Sequence, residues 1–261
     1  MAANPAAAWI PARNRSAFLD PARPWTVRHL GDGLTVAAVS IAWLAGLGDA
    51  GQAALARRHL AADDQRFRAG LRIRKRRVEW LAGRLAVAYA VGAHERRLGL
   101  EATPVPDVRV RRVADGPRAG KPYLDQPFEI GISHAGDFAV AACGPHPLGI
   151  DLEPVRELSP YLNDLLAVPA ARRGDAAGRR LGTMPPALRW ACREAVLKYY
   201  GVGLRLGGVR QVELTGWHPG GRFGWRAGAV LRDHCAVSAA PPPRHSLAQV
   251  IDGYTMAVVW R

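Results

Sequence analysis

The sequence predicts an α+β protein made of two halves of similar design. Twice the chain runs from a strand-like segment into a long stretch with apolar residues at helical spacing, first over 34–99 and again over 147–204. Between the two lies "ATPVPDV" (102–108), whose prolines cannot sit inside a helix or a central strand, so a linker or domain edge belongs there.

Taken in order, residues 1–32 hold four of the 20 prolines and no sustained period, which reads as a loosely structured lead wrapping the domain. "LTVAAVSIAWL" (34–44) reads as a buried strand. "GQAALARRHLAADDQ" (51–65) and "RKRRVEWLAGRLAVAYAVGAHERRLG" (74–99) read as helices, and in the second Val78, Leu81, Leu85 and Ala88 share a stripe. Short strands follow at 128–134, 137–144 and 147–153, with "AG" between the first two suited to a tight hairpin turn. "MPPALRWACREAVLKYYGVGL" (184–204) is a helix with Pro in its first turn and Gly201 and Gly203 past its end. The tail alternates turns with strand-like runs at 209–216, 223–231 and 254–260. No short-period repeat is visible.

Composition excludes several classes. A chain of 261 residues, 49% hydrophobic, can bury a real core, so disorder is not expected. Cys143, Cys192 and Cys235 lie far apart with no C-x-x-C pair, against both a disulfide framework and a cysteine-built zinc site, and they read as buried thiols in a reducing compartment. No stretch has membrane-spanning length and the N-terminus lacks the pattern of a secretory signal, so a soluble cytoplasmic protein with no membrane partner is expected. Only three of the 36 basic residues are Lys, and the formal charge is +14. So much guanidinium favours acidic partners, while the same Ala, Arg and Gly excess equally fits a coding bias.

Four short motifs carry chemistry. In "GIDLEP" (149–154) Asp151 and Glu153 are two apart on one face of a strand, where two anions need a cation, a shared proton or water; hard oxygen donors of this kind suit Mg²⁺, and a D-x-E alone equally fits a solvated strand end. In "WACREAVLKYYG" (190–201) Glu194 and Lys198 share a helix face, either completing a metal and phosphate site or forming a surface ion pair. "GISHAGDF" (131–138) offers the Ser133 hydroxyl, the His134 imidazole and turn N–H groups as an anion cradle. "AGKPY" (119–123) adds Lys121, a point charge for phosphate or a solvated loop lysine.

Together and in this order, "GKP", "SHAGDFAV", "GIDLEP" and "WACREAVLKYYGVGL" resemble the motif series of the 4′-phosphopantetheinyl transferases of the surfactin-type class; "RRVEWLAGR" (76–84) resembles a segment of the siderophore-synthase-activating branch. The resemblance implies a pseudo-dimer of two α+β halves with the active site in the cleft between them. It implies transfer of the phosphopantetheine arm of coenzyme A to a serine of an apo acyl or peptidyl carrier protein, with release of adenosine 3′,5′-bisphosphate. By motif, Asp151, Glu153 and Glu194 become Mg²⁺ ligands. Glu194 also becomes the base toward the serine hydroxyl, and Lys198 the residue on the pyrophosphate. Ser133, His134, Lys121, Arg84 and Arg77 become ligands of the coenzyme A phosphates. The expected organisation is a lead over 1–32, an N-terminal half over 33–120 and a C-terminal half over 121–261 carrying the metal site, working as a monomer. Two departures stand out: Arg193 replaces the usual lysine of the third motif, and 161–186 is basic and Gly-rich where the class has an acidic helical stretch. Such a charge balance fits acidic carrier proteins. The alternatives are a metal-dependent nuclease, which could use the same carboxylates and lysine, and a basic nucleic-acid-binding module, in which the carboxylates would be dispensable; neither accounts for "GKP" and "SHAGD". No nucleic-acid partner is therefore expected.

Overall fold

The computed structural model describes residues 17–31, 33–169, 174–205, 207–238 and 240–261. These fall into two compact units, one of residues 17–111 and 122–145, the other of residues 112–121 and 146–261.

The first unit is a four-stranded antiparallel sheet with one long helix against it. Its strands are β1 (Trp25–Leu30) and β2 (Leu34–Ser40), followed by helices α1 (Ile41–Gly46), α2 (Gly48–His59), α3 (Ala62–Gly70) and α4 (Arg74–Arg97). After the short strands β3 (Val110–Arg112) and β4 (Pro122–Leu124) comes the hairpin β5 (Glu129–Ala135) and β6 (Phe138–Gly144). The sheet order is β1-β2-β6-β5. Every residue of β2 and of β6 is buried, which is why both read as unbroken small apolar runs without alternation. α4 lies across these strands, and its Val78, Leu81, Leu85 and Ala88 are buried in the same cluster as Ala37, Val39, Ala139 and Ala141. Each fully buried leucine there contributes about 1.5–3 kcal/mol of transfer free energy.

The second unit opens with β7 (Leu148–Pro154) and continues through α5 (Pro160–Leu165), α6 (Ala176–Thr183) and α7 (Pro186–Tyr199). The hairpin-like pair β8 (Val212–Trp217) and β9 (Phe223–Ala227), α8 (Ala229–Ser238), and the hairpin β10 (His245–Ile251) and β11 (Tyr254–Trp260) complete it. Its main sheet has the order β10-β11-β7, all antiparallel, with α7 packed on β7 and β11. Each unit contains a strand, a helical segment ending in a long helix and a later hairpin whose second strand pairs with that strand, β6 with β2 and β11 with β7; the first unit adds β1 ahead of β2, and the second adds β8, β9 and α8 before its hairpin.

The observed elements differ from the sequence expectations at several places. The strand expected over 34–44 stops at Ser40, whose side chain accepts from the Trp43 N–H at 3.0 Å and caps α1. The helix expected over 51–65 is two helices, broken where extended Leu60 turns inward and is buried. The hairpin turn is Gly136-Asp137 rather than Ala135-Gly136, with Gly136 at φ 53 in the left-handed region such a turn requires. The run expected as strand over 223–231 ends at Ala227, because Gly228 O accepts from Arg232 N and starts α8. Cys143 and Cys192 are buried thiols, while Cys235 is only half-buried.

The observed division also departs from a cut at 120/121. Pairing of β2 with β6 draws 122–145 into the first unit, and 112–121 goes with the second. Of the expected lead over 1–32, residues 1–16 and 32 lie outside the described residues; within the remainder, β1 is a paired strand and Phe18 and Leu19 are buried. Among the described residues no helix is long and apolar enough to cross a membrane.

Candidate active site

The site grows from the contact of α7 with β7. Gly149, Asp151 and Glu153 alternate onto one face of β7, and at Gly149 the helix backbone comes closest: a Cβ there would lie 2.1 Å from Ala195 O and 2.5 Å from Tyr199 N. The absent side chain lets α7 lie directly on the strand. One turn of that helix carries Glu194 and Lys198, so the same face of β7 that admits the helix presents its two carboxylates to both residues.

Asp151 is 2% exposed, and the Lys198 ammonium donates to its Oδ1 at 2.5 Å. Lys198 also lies 3.8 Å from Glu194 Oε2, and the Trp190 indole N–H donates to the Glu194 carboxylate from one turn earlier. Burial, then repulsion from Asp151 and Glu194, pushes the Glu153 carboxyl up to about 7 against the pull of Arg156 and Lys198. Burial and Asp151 likewise push Glu194 up to about 7, opposed by Lys198 and the Trp190 hydrogen bond. The opposite edge of β7's backbone is fixed by β11, where Ala257 pairs with Asp151 and Thr255 with Glu153, and the Thr255 hydroxyl donates to Glu153 O at 3.2 Å.

Three carboxylates facing one ammonium, with Glu153 and Glu194 raised by burial and by the Asp151 charge, are the donor chemistry a hard divalent cation satisfies. As the side chains stand, no group of three or more His, Cys, Asp or Glu among the described residues closes on a single metal position, and Lys198 is the cation on Asp151. The donors are hard carboxylate oxygens, the type that Mg²⁺ takes.

Carboxyls whose folded pKa is raised hold protons in the fold that the unfolded chain has released, so stability falls as pH rises from about 4.5 to about 7. In the metal-free protein the Glu153→Gln and Glu194→Gln variants should show a flatter melting temperature across that window than the parent. Added Mg²⁺ should raise the parent's melting temperature most above pH 7, where all three carboxylates are ionised. A parent profile as flat as that of the variants would remove the repulsion on which the assignment of the site depends.

The other sequence-predicted residues lie as follows. Lys121 is buried, and its ammonium donates to Tyr199 O at 2.9 Å while lying 5.7 Å from that residue's ring centroid. It caps the C-terminal end of α7, where a cation meets unpaired carbonyls and the negative end of the helix dipole. Arg205 tightens the same end by donating to Ala119 O and, at 3.0 Å, to Gly201 O. Lys121→Met should therefore cost about 1–2 kcal/mol in denaturant unfolding, whatever it does to ligand binding. Arg193, in place of the usual lysine, is buried and donates from Nη1 to Leu165 O at 2.9 Å, tying α7 to the end of α5.

Four candidates belong to the other unit. Ser133 and His134 are consecutive on β5 and so face opposite ways, Ser133 buried and His134 exposed, beside the Gly136-Asp137 turn. Arg77 and Arg84 are seven apart on α4, and so on one face of it. Arg84 lies 4.6 Å over the Trp80 ring and 3.6 Å from Asp64, while Arg77 donates to Leu71 O and Arg72 O at 3.0 and 3.1 Å. Sequence reasoning missed Trp190, whose position four before Glu194 was the available signal, and Gly149, whose role depends on the helix crossing.

No protein-family model matches the chain, and no curated protein matches it. Among solved structures, the chain is similar to a holo-(acyl-carrier-protein) synthase from Bacillus anthracis str. Ames in complex with CoA, at a TM-score of 0.33 and 24% identity, over 42% of this chain and 92% of that one. A likeness of that size carries no argument about the site, which is read from its own geometry.

Proposed function

We infer that the chain is a 4′-phosphopantetheinyl transferase of the surfactin-type class, moving the phosphopantetheine arm of coenzyme A onto a serine of an apo acyl or peptidyl carrier protein. The observation that carries this reading is the meeting of Asp151, Glu153, Glu194 and Lys198 at the α7–β7 contact, with each residue at its place in the motif series.

In this reading Asp151, Glu153 and Glu194 hold Mg²⁺, which when bound supplies Lewis-acid polarisation of the pyrophosphate. The serine oxygen attacks the β-phosphorus of coenzyme A, forming a phosphodiester bond as the bond to adenosine 3′,5′-bisphosphate breaks. Glu194, with a carboxyl raised toward neutral pH, takes the serine proton. The Lys198 ammonium stabilises charge on the departing bisphosphate, a role open to it because its present partners are anions. His134, Ser133, Arg77 and Arg84 serve the coenzyme A phosphates, Arg84 with a planar fork already oriented by Trp80. Lys121 belongs with these by motif, and its ammonium also donates to Tyr199 O at the end of the helix that carries Glu194 and Lys198.

The reading is tested by chromatography of nucleotide products. Coenzyme A, Mg²⁺ and an apo carrier should yield adenosine 3′,5′-bisphosphate in amounts that follow the carrier. A carrier whose acceptor serine is replaced by alanine should yield none. Release that is independent of the carrier would make the protein a coenzyme A hydrolase instead.

A further inference from the structure

A cavity lies within the second unit, on the side of α7 where Arg189 and Arg193 project. It has a volume of about 490 Å³, within the range of small-ligand pockets, and is framed by the end of α5, α6, α7 and β8. Its walls include Leu165, Val168, Leu181, Val212 and Leu214, of which Val168, Leu181, Val212 and Leu214 are buried. Three guanidiniums, of Arg189, Arg193 and Arg210, face two carboxylates, of Asp164 and Glu213, leaving one positive charge in excess.

Arg193 makes this more than an apolar hollow. It is 8% exposed; Nη1 is used on Leu165 O at 2.9 Å, while its buried Nε makes no hydrogen bond. Leaving a buried guanidinium N–H without an acceptor costs free energy that a fitting acceptor would return. Burial first, and then the nearby Arg189, hold this guanidinium below its ordinary range, with Glu213 offsetting them in part. At the exposed side Arg210 donates from Nη2 to the Tyr161 hydroxyl at 3.2 Å, adding a second cation and an aromatic ring beside the opening.

We propose that this cavity is a binding site for a small monocarboxylate with a short apolar tail. The tail lies against the leucines and valines, and the carboxylate neutralises the one excess charge by accepting from the guanidiniums that line the cavity, Arg193 among them. A single negative charge suits the balance of the lining groups, whereas a phosphate dianion would exceed it. Because the guanidinium also ties α7 to α5, occupancy would stabilise the helix that carries Glu194 and Lys198, although the site itself stands independently of what those residues do.

Calorimetric titration and ligand-observed NMR of the full chain with hexanoate test the proposal, with hexan-1-ol and hexylamine as controls. Hexanoate should bind saturably, and the alcohol and the amine at least about tenfold more weakly. Ala167→Trp, which enlarges an exposed wall residue without entering the core, should abolish binding while leaving the melting temperature near that of the parent. Arg193→Lys, which keeps the charge but loses the planar fork, should weaken it about tenfold. Hexanoate binding unchanged in Ala167→Trp would place the ligand elsewhere and overturn the proposal. Equal binding of hexanoate and hexan-1-ol would leave an apolar hollow with no anion selectivity. Absence of saturable binding through the millimolar range would overturn it as well.

Discussion

Asp151→Asn should reduce phosphopantetheine transfer by on the order of 10³-fold or more while leaving a folded protein. The size of the effect follows from the burial of Asp151 and from its contacts. Its Oδ1 holds Lys198 at 2.5 Å, and its charge is among the influences that raise both Glu153 and Glu194. Asparagine keeps the shape and removes the charge. In the proposed reading Mg²⁺ then loses its most buried ligand; Lys198 loses its shortest ion pair, and Glu194 loses the neighbour that helps raise its carboxyl toward neutrality. Each change acts on a different part of the same reaction. Stability should respond less, because relief of repulsion among the carboxylates offsets the weakened pair with Lys198, whose side chain is 28% exposed and so partly solvated. Transfer rates with saturating coenzyme A, together with circular dichroism, separate the two effects. A variant that keeps more than about a tenth of the parent rate would remove Asp151 from the metal set.

Gly149→Ala should have the largest effect on the fold of any single-methyl change near the site. The added carbon would stand 2.1 Å from Ala195 O and 2.5 Å from Tyr199 N, both backbone atoms of α7 that cannot rotate away. The helix would have to leave β7, taking with it the buried Ala195, Val196 and Tyr199 and the registry of Glu194 and Lys198 over the carboxylates. The expected loss is about 4 kcal/mol or more in denaturant unfolding, with failure to accumulate as folded protein as its extreme form. Gly46→Ala, at a position with open space, is the matched control and should be close to neutral. Equal stability of the two variants would show that the helix does not lie on the strand as described.

How much of this was legible in the sequence depends on the range of the interaction. α4 and α7 follow from local periodicity and from Gly201 past the helix end, at φ 75. β5, β6 and β7 follow from short apolar runs between turn residues. The candidate site was legible as residue types at fixed spacings: i, i+2 on a strand and i, i+4 on a helix. What was not legible needed contacts between distant segments. The β5–β6 hairpin lies near β7 in sequence but pairs with β2, about a hundred residues earlier, so a boundary placed by local composition cannot find it. Nothing local reveals that the Lys121 ammonium, a phosphate ligand by motif, also donates to Tyr199 O at 2.9 Å. Arg193 reads as a variant of a motif lysine, yet its guanidinium meets Leu165 O beyond the carboxylate cluster. Gly149 sits in the quoted motif, and its function is visible only where a helix crosses it.

The intact mass of an apo carrier protein after incubation with this chain, coenzyme A and Mg²⁺, beside a control containing EDTA, decides whether the chain transfers phosphopantetheine. The carrier should gain one phosphopantetheine, and the gain should be absent with EDTA and absent with Asp151→Asn. An unchanged carrier mass across acyl and peptidyl carriers, with no binding of coenzyme A by the parent protein, would contradict it.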